Sequence, residues 1–261
     1  MPIDPVIQLE KVFAGYGAND VLEDVTMEVS AGDFIGILGP NGSGKSTLLR
    51  VLTRILPVRK GMFRLFGQDA AAYSNRQLAR KIAVVPQHTR ITFPILGIEI
   101  VIMGRYPYKK GVFSSYSKAD YAMALSALEA LDARHLAGRN ADTLSGGETS
   151  LLAIGRAIAQ APHVLLADEA TASLDLSKKL QVFELLTHMN HVHGLTIVSV
   201  MHDINLASLY CKHLMFLKDG RIVSHGPVEE VLTRENLKSI YNVEVEIVEH
   251  PTRYKPQVLI K

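Results

Sequence analysis

The chain has 261 residues, enough for one large α/β domain or for a core domain with a sizeable insertion. Its composition is ordinary for a globular protein, and its formal net charge of +2 gives no basic field that would follow a nucleic-acid backbone. The single cysteine, Cys211, excludes an internal disulfide and fits a reducing compartment. Residues 1–4 lack the features of a signal peptide, and no stretch reaches the roughly 18–20 apolar residues of a membrane span, so we expect any role at a membrane to be peripheral.

The first part of the chain has the alternating pattern of β-strands. Residues 6–14 place Ile7 and Leu9 on one face, and residues 25–29 and 33–38 read as further strands. Together they predict an antiparallel sheet that leads into the segment after residue 38. A turn is predicted at residues 15–17, where the ring of Tyr16 either caps the sheet or stacks on a ligand.

A glycine-rich loop follows the strand at residues 33–38 and precedes a predicted helix at residues 48–54. Its pattern, Gly-x-x-x-x-Gly-Lys-Ser/Thr between a strand and a helix, is typical of a phosphate-binding loop. In such a loop Lys45 reaches the β- and γ-phosphates, and the hydroxyl of Ser46 is placed to ligate Mg²⁺. The chain is therefore predicted to bind a nucleoside triphosphate, with Tyr16 stacked on its adenine ring. The loop consists of Gly39, Pro40, Asn41, Gly42, Ser43, Gly44, Lys45, Ser46 and Thr47.

The middle of the chain changes from strands to helices. A strand is predicted at residues 82–85, and Gln87 follows it, although a lone glutamine is usually just a solvated loop residue. Short helices are predicted at residues 98–103 and 118–131. Between them, residues 104–113 are rich in Tyr, Phe and Arg, which is consistent either with an interface or with aromatic rings packed under a loop.

Two further segments carry residues suited to phosphate chemistry. Ser145 is a plausible N-cap for a helix ending near Gln160, and the two glycines after it leave the helix N-terminus open to an anion. Asp168 and Glu169 end a predicted buried strand at residues 164–167, at the edge where open α/β sheets bind ligands. Alternation along the strand lets Asp168 serve the Mg²⁺ shell while Glu169 faces the attacking water.

The last third is predicted to contain a strand at residues 195–200, a hairpin with an Asp219-Gly220 turn and two helices, at 227–232 and 234–241. His202 follows the strand, where an isolated histidine is more often structural than catalytic. His188, His191 and His193 are close enough in sequence to suggest a metal site. A solvated helix end explains them better, because protonated histidines suit the negative end of the helix dipole.

Taken together, these motifs resemble the ATP-binding subunit of ABC transporters over nearly the whole chain. By this resemblance, residues 39–47 are Walker A, Gln87 is the Q-loop glutamine, Asp168 and Glu169 end Walker B, Asp175 closes the D-loop, and His202 is the switch histidine. The signature motif is Leu144, Ser145, Gly146, Gly147 and Glu148.

The resemblance implies an α/β fold of the P-loop NTPase class, namely an ABC-type nucleotide-binding domain with an antiparallel β-subdomain and a helical subdomain insertion. Residues 1–261 would form one ABC ATPase domain, with the core at 1–87 and 161–261 and the helical subdomain at about 88–160. Its cofactors would be ATP and Mg²⁺, the metal being held by Ser46, Gln87 and Asp168. Catalysis would depend on Lys45, on Glu169 as general base and on His202 at the γ-phosphate.

The resemblance also implies partners. Two chains would pair head to tail as a homodimer, so that the signature of one subunit completes the ATP site of the other. The dimer would sit on integral membrane permease subunits at the cytoplasmic face of the inner membrane, would meet a substrate-binding protein only indirectly and would bind no nucleic acid. Residues 103–108 look like the corresponding segment in importers of ferric siderophores, haem and cobalamin.

We therefore expect an ATPase that drives uptake of a metal chelate. An ABC ATPase for another transport substrate, or one acting in DNA repair or translation, is the alternative, although the coiled coils, zinc motifs and second cassettes usual in the latter are not visible. Two departures from the family pattern stand out. Ser150 and Leu151 replace a usual Gln-Arg pair, and Ala170 replaces the usual proline after Glu169.

Overall fold

The structure is a computed structural model that describes residues 5–89, 91–111 and 114–260. Its described residues fall into two compact units, one containing residues up to 72 and from 196 onward, the other containing residues 73–195. Short 3-10 segments within the described residues cover Ala70–Ala72, Met103–Tyr108, Arg134–Leu136 and Ala141–Thr143. The strands and helices, in chain order, are β1 (Ile7–Tyr16), β2 (Asn19–Val29), β3 (Phe34–Leu38), α1 (Lys45–Leu52), β4 (Lys60–Leu65), β5 (Gln68–Asp69), α2 (Asn75–Lys81), β6 (Ile82–Val85), α3 (Gly97–Ile102), α4 (Lys118–Ala130), α5 (Gly146–Ala159), β7 (Val164–Asp168), α6 (Leu176–His193), β8 (Thr196–Val200), α7 (Ile204–Tyr210), β9 (His213–Lys218), β10 (Arg221–Pro227), α8 (Val228–Val231), α9 (Arg234–Tyr241), β11 (Val245–Glu249) and β12 (Pro256–Ile260).

The first unit contains an antiparallel sheet in the order β2-β1-β4-β5. Ile7 and Leu9 are fully buried along β1, which confirms the predicted inward face, and Val12 is buried as well. The turn predicted at residues 15–17 is wrong in position, because β1 continues through Tyr16 and pairs Tyr16 with Asn19. The hairpin closes over residues 17–18 instead, so Tyr16 is held by strand pairing at the end of β1 rather than in a free turn.

In the same unit, β3 lies between β8 and β9 and is parallel to both. The expectation that β3 would belong to the N-terminal antiparallel sheet is therefore wrong. Its five residues are all buried, a burial pattern typical of a parallel strand covered on both faces. β10 adds to β9 in antiparallel fashion through the predicted turn, where Asp219 and Gly220 both have positive φ angles, 47° and 76°.

The C-terminal hairpin of this unit, β11 with β12, is attached to α7 by side chains. The amide of Asn205 donates to the backbone oxygen of Val258 and accepts from its N–H, at 3.1 and 2.7 Å. The hydroxyl of Ser208 donates to the oxygen of Pro256. These hydrogen bonds hold the two-stranded sheet against α7.

The second unit pairs β6 with β7 in parallel and packs α5 against both α3 and α4. Ser74, Ser117 and Ser145 begin their helices with capping boxes, in which the serine hydroxyl and a side chain three residues later satisfy each other's backbone N–H groups. Within the described residues, no helix is both long and apolar enough to cross a membrane. The domain boundaries expected near residues 88 and 160 remain a prediction.

Candidate functional site

The glycine-rich loop of the first unit has a backbone that only glycine tolerates. Gly39 and Gly44 have φ angles of 150° and 103°. A Cβ on Gly39 would lie 2.0 Å from the backbone oxygen of Leu217, and one on Gly44 would lie 2.9 Å from a methyl carbon of Leu22. The loop therefore lies against β9 and β2 at a distance that excludes side chains at Gly39 and Gly44.

Lys45 closes this loop from the inside. Its ammonium nitrogen donates to the backbone oxygens of Gly39 and Pro40, both at 2.8 Å, and the residue is 6% exposed. The backbone of Gly39 also hydrogen-bonds Tyr241 of α9, whose pKa burial raises to about 12. Sequence reasoning missed Tyr241, since no local signal links the end of α9 to the loop.

The loop also contains a buried hydroxyl group, that of Ser43. The hydroxyl of Ser43 is buried and has no hydrogen-bond partner among the described residues. Buried hydroxyls normally form a hydrogen bond, so the Ser43 hydroxyl is suited to donate to a phosphate oxygen bound in this loop. α1 starts at Lys45 with no acidic residue in its first turn, and its N-terminus adds positive potential at the same place.

Tyr16 stands at the end of β1 with 44% of its surface exposed. Its hydroxyl accepts a hydrogen bond from Nη1 of Arg50, in α1, at 2.6 Å. The ring is accessible to a flat ligand, and the arginine at its edge was not foreseen from the sequence. Arg50 lies five positions after Lys45, so a single helix contacts both the phosphate loop and this ring.

His202 lies at the same edge of the sheet as the phosphate loop. β3 and β8 are parallel, with Ile37 opposite Val200, and the N–H of Met201 donates to the oxygen of Ile37 at 3.0 Å. The loop begins directly after β3, and His202 is two residues past β8, with its side chain exposed. Strand pairing therefore places a histidine, distant in sequence, beside the loop.

In the second unit, strand pairing places Gln87 beside Glu169. Val85 of β6 is opposite Ala167 of β7. Gln87 lies two residues after Val85, and Glu169 lies two residues after Ala167. Nε2 of Gln87 donates to Oε2 of Glu169 at 2.8 Å. Glu169 has a φ angle of 49°, so the chain turns sharply right after β7, and Asp168 is half-buried at the end of that strand.

Asp175, the predicted D-loop residue, has a local structural role in this chain. Its carboxylate accepts a hydrogen bond from the N–H of Lys178 at 2.9 Å and caps the N-terminus of α6. An N-cap aspartate stabilises a helix whether or not it also contacts a ligand.

The signature segment forms the N-terminus of α5. Ser145 caps it, and Oε2 of Glu148 accepts from both the N–H and the hydroxyl of Ser145, each at 2.9 Å. These bonds, with a lesser contribution from Arg139, hold the pKa of Glu148 below its ordinary value, although burial acts in the opposite direction. Ser145 and Gly146 are exposed, so the positive end of α5 faces outward.

The two departures beside the signature are accommodated within α5. The hydroxyl of Ser150 donates to the backbone oxygen of Gly146 at 3.0 Å. Leu151 is 4% exposed, so this position contributes to the core of the second unit. Nothing in the structure explains Ala170.

The aromatic segment divides between the two interpretations left open by the sequence. Arg105 is 8% exposed and donates to Asp120 at 3.1 Å and to the oxygen of Ala159 at 3.0 Å, while Tyr106 is 57% exposed. Part of the segment is thus internal packing and part is surface. Its last two predicted residues, Val112 and Phe113, lie outside the described residues.

Two of the three clustered histidines contact each other. The rings of His188 and His193 are in edge-to-face contact, with centroids 6.1 Å apart. Among the residues that the structure describes, no group of three or more His, Cys, Asp or Glu is arranged to hold a metal ion. For Mg²⁺, the oxygen donors predicted from sequence, the Ser46 hydroxyl and the Asp168 carboxylate, are of the type that this cation prefers.

Comparison with known proteins matches the pattern of the family described as ABC transporter to residues 22–172. The chain is 36% identical over 250 residues to the ferric enterobactin transport ATP-binding protein FepC of Escherichia coli K12, covering 96% of this chain and 92% of FepC. It is 37% identical over 244 residues to the hemin import ATP-binding protein HmuV of Thermobifida fusca, covering 94% and 84%. It is also 37% identical to the uncharacterized ABC transporter ATP-binding protein YvrA of Bacillus subtilis, of whose length it spans only 58%.

Solved structures show the same relationship. A transporter in an inward-facing conformation, described as of metal-chelate type, superposes with a TM-score of 0.85 at 27% identity and covers 99% of this chain and 98% of its own. The dimeric cassette MJ0796 in a post-hydrolysis state with ADP and phosphate has a TM-score of 0.76 at 27% identity, covering 85% and 98%.

Proposed function

This chain belongs to the ABC transporter family and is an ABC-type ATPase, and we propose that it powers an importer of a metal chelate of the iron–siderophore, haem or cobalamin type. The observation that carries the chemistry is the preformed loop of residues 39–47, with the ammonium of Lys45 inside it and the unpaired hydroxyl of Ser43 buried in it. Similarity to FepC and HmuV over more than nine-tenths of this chain supports the substrate class.

Nucleotide binding is assigned to the first unit's loop and to Tyr16. The backbone N–H groups of residues 41–47 and the N-terminus of α1 donate to phosphate oxygens, and no acidic residue in the first turn of α1 competes with them. Lys45 exchanges its two backbone oxygen acceptors for the β- and γ-phosphates. Tyr16, with its exposed ring, stacks on the adenine.

Hydrolysis is assigned to Glu169, with His202 contacting the γ-phosphate. Glu169 takes the proton of the attacking water, and Gln87 orients the carboxylate through its hydrogen bond to Oε2. Ser46 and Asp168 would hold Mg²⁺, with Gln87 contacting the metal or water. When bound, this ion neutralises charge on the β- and γ-phosphate oxygens.

The second half of each ATP site is assigned to another copy of the chain. Each chain has one phosphate loop and one signature segment, so a head-to-tail homodimer makes two complete sites. The exposed N-terminus of α5, with Ser145, Gly146 and Gly147, offers N–H groups to a phosphate held by the partner. Asp175 belongs to this face as the D-loop residue.

The docking site for the permease is assigned to a groove of about 390 Å³ in the second unit. Its floor is fixed because the oxygen of Pro107 accepts hydrogen bonds from Nε of Arg76 and Nε of Arg80, at 2.8 and 3.0 Å. Exposed Tyr106 lies at its side and can anchor an apolar helix of a membrane subunit. With this contact the chain would lie at the cytoplasmic face of the membrane and would meet a binding protein only through the permease. The groove is lined by Asn75, Arg76, Ala79, Tyr106, Pro107, Lys109 and Gly111.

The shared site is tested by complementation in mixed dimers. Lys45→Ala removes the loop's ammonium, and Gly147→Asp adds a negative charge and a Cβ that would meet the oxygen of Ser173 at 3.2 Å. If each site uses two chains, a dimer of one Lys45→Ala chain and one Gly147→Asp chain keeps one intact site. A dimer of wild type with the doubly substituted chain keeps none.

The readout is the number of ATP molecules occluded per mixed dimer, measured with Glu169→Gln in every chain so that bound ATP persists. We expect one in the first dimer and none in the second. The reverse result would show that each site lies within one chain. For substrate class, the complex with its co-purifying membrane protein is reconstituted, and ATPase stimulation by ferric siderophores, haem and cobalamin is compared. Stimulation by none of them would contradict the proposed cargo.

A further inference from the structure

Arg50 and Tyr16 form a contact that the proposed chemistry does not use. Nη1 of Arg50 donates to the hydroxyl of Tyr16 at 2.6 Å, and the guanidinium carbon lies 5.7 Å from the ring centroid. Arg50 is in the last turn of α1, the helix that begins with Lys45. One end of this short helix therefore faces the phosphate loop, while the other holds the aromatic ring.

The geometry shows that Arg50 leaves the faces of the ring accessible. The guanidinium carbon of Arg105 lies only 3.9 Å from the ring centroid of Tyr108, the distance of stacked groups. The guanidinium carbon of Arg50 lies 5.7 Å from the Tyr16 ring centroid, and its hydrogen bond is to the phenol oxygen. Arg50 therefore contacts the edge of the ring. Tyr16 as a whole residue is 44% exposed, which leaves it accessible for stacking.

The backbone beneath the ring is fixed by a second arginine. Nη2 of Arg59 donates to the oxygen of Gly17 at 2.6 Å, and Nη1 binds the carboxylate of Asp20 at 2.8 Å. The hairpin is also tight, since a Cβ on Gly15 would lie 2.0 Å from the oxygen of Asn19. With the backbone held, rotation of the Tyr16 side chain is the remaining freedom, and Arg50 restricts it.

We propose that Arg50 is a positioning residue for nucleotide binding, which holds Tyr16 in the orientation that receives the adenine base and keeps it in register with the phosphate loop. The inference rests on the proposed stacking of Tyr16 on adenine. Preorganising the ring lowers the entropy lost when the base binds. The effect concerns the base and not the triphosphate, and this distinction makes the proposal testable.

The experiment measures dissociation constants of the full-length protein for MgATP and for magnesium tripolyphosphate, which lacks the base, by titration calorimetry. Arg50→Met keeps the length of the side chain and removes its donors. We expect it to weaken MgATP binding about three- to tenfold, the cost of immobilising one flexible side chain, and to leave tripolyphosphate binding unchanged. Arg50→Lys, which retains a cationic donor, should recover part of the loss. Arg234→Met, at an exposed helical arginine of the same unit, is the matched control.

Coupling between the two residues is measured with Tyr16→Phe, which keeps the ring and removes the hydroxyl. It should reproduce the loss seen in Arg50→Met, and the double variant should lose no more than either single one. Equal weakening of ATP and tripolyphosphate by Arg50→Met would overturn the proposal in favour of a general role in α1. Unchanged ATP binding in Arg50→Met, with a loss in Tyr16→Ala, would overturn it while leaving the stacking intact. No loss in Tyr16→Ala would reject the stacking itself.

Discussion

The side-chain amide of Gln87 donates a hydrogen bond to Oε2 of Glu169 across 2.8 Å, although 82 positions separate the two residues in the chain. The contact follows from the parallel pairing of β6 and β7, because each residue lies two positions beyond a matched pair at the same end of the strands. It fixes one oxygen of the carboxylate and thereby orients the other. Because Gln87 lies in the segment after β6, this hydrogen bond couples the position of that segment to the orientation of the Glu169 carboxylate.

Glu169→Gln should lower ATP turnover by about 10²- to 10⁴-fold, the usual contribution of a positioned general base. ATP binding should be retained, since the amide has the size of the carboxylate and Lys45 is untouched. Steady-state hydrolysis and nucleotide affinity measured on the same preparation check both parts. Turnover close to that of the wild type would remove Glu169 from the role of base.

The charge of Glu148 should stabilise the protein at neutral pH and lose this effect in acid. Its pKa is held below the ordinary value of 4.5 by the bonds from Ser145, with Arg139 adding to them. A depressed pKa means that the stabilisation is complete above that ordinary value and disappears as the pH falls through the value in the folded protein. Glu148→Gln keeps a capping side chain without the charge. The gap in Tm between wild type and Glu148→Gln should therefore narrow between pH 6 and pH 3, and a constant gap would contradict the assignment.

Arg105→Met should destabilise the second unit by about 3 kcal/mol, because it leaves the carboxylate of Asp120 and the oxygen of Ala159 without their buried donor. Arg105→Lys should restore only part of the loss, since a lysine cannot reproduce the planar guanidinium stacked on Tyr108. Chemical denaturation measures the free energy of unfolding. Arg134→Met, at an exposed ion pair with Glu129, is the control and should cost less than about 1 kcal/mol. An equal loss in the free energy of unfolding for Arg105→Met and Arg134→Met would show that burial of Arg105 does not increase its contribution to stability.

The thiol of Cys211 should resist alkylation in the folded protein. It is 3% exposed, and burial raises its pKa above the ordinary value, so the reactive thiolate is scarce. A Cβ on Gly36 would lie 2.9 Å from its sulfur, which shows how closely β3 covers it. Mass spectrometry after treatment with iodoacetamide at pH 8 should find no label in buffer and complete labelling in denaturant. Rapid labelling in buffer would mean that this part of the first unit opens readily.

The sequence by itself determined the features that depend on neighbouring residues. The glycine-rich loop between a strand and a helix, the cap at Ser145 and the Asp219-Gly220 turn were predicted correctly because backbone conformation and short-range hydrogen bonds specify them. Resemblance to a family then attached roles to Gln87 and His202 that their own surroundings in the sequence do not indicate.

Only the tertiary structure decided which distant residues meet. Strand pairing places β3 in a parallel sheet rather than in the antiparallel one, and it places Gln87 beside Glu169. Arg50 reaches Tyr16 across 34 positions, and Arg105 of the aromatic segment is anchored by Asp120 of α4. The physical reason is the same in each case. Such contacts depend on which strands and helices pack together, and that choice is made by burial of the whole core rather than by any local pattern.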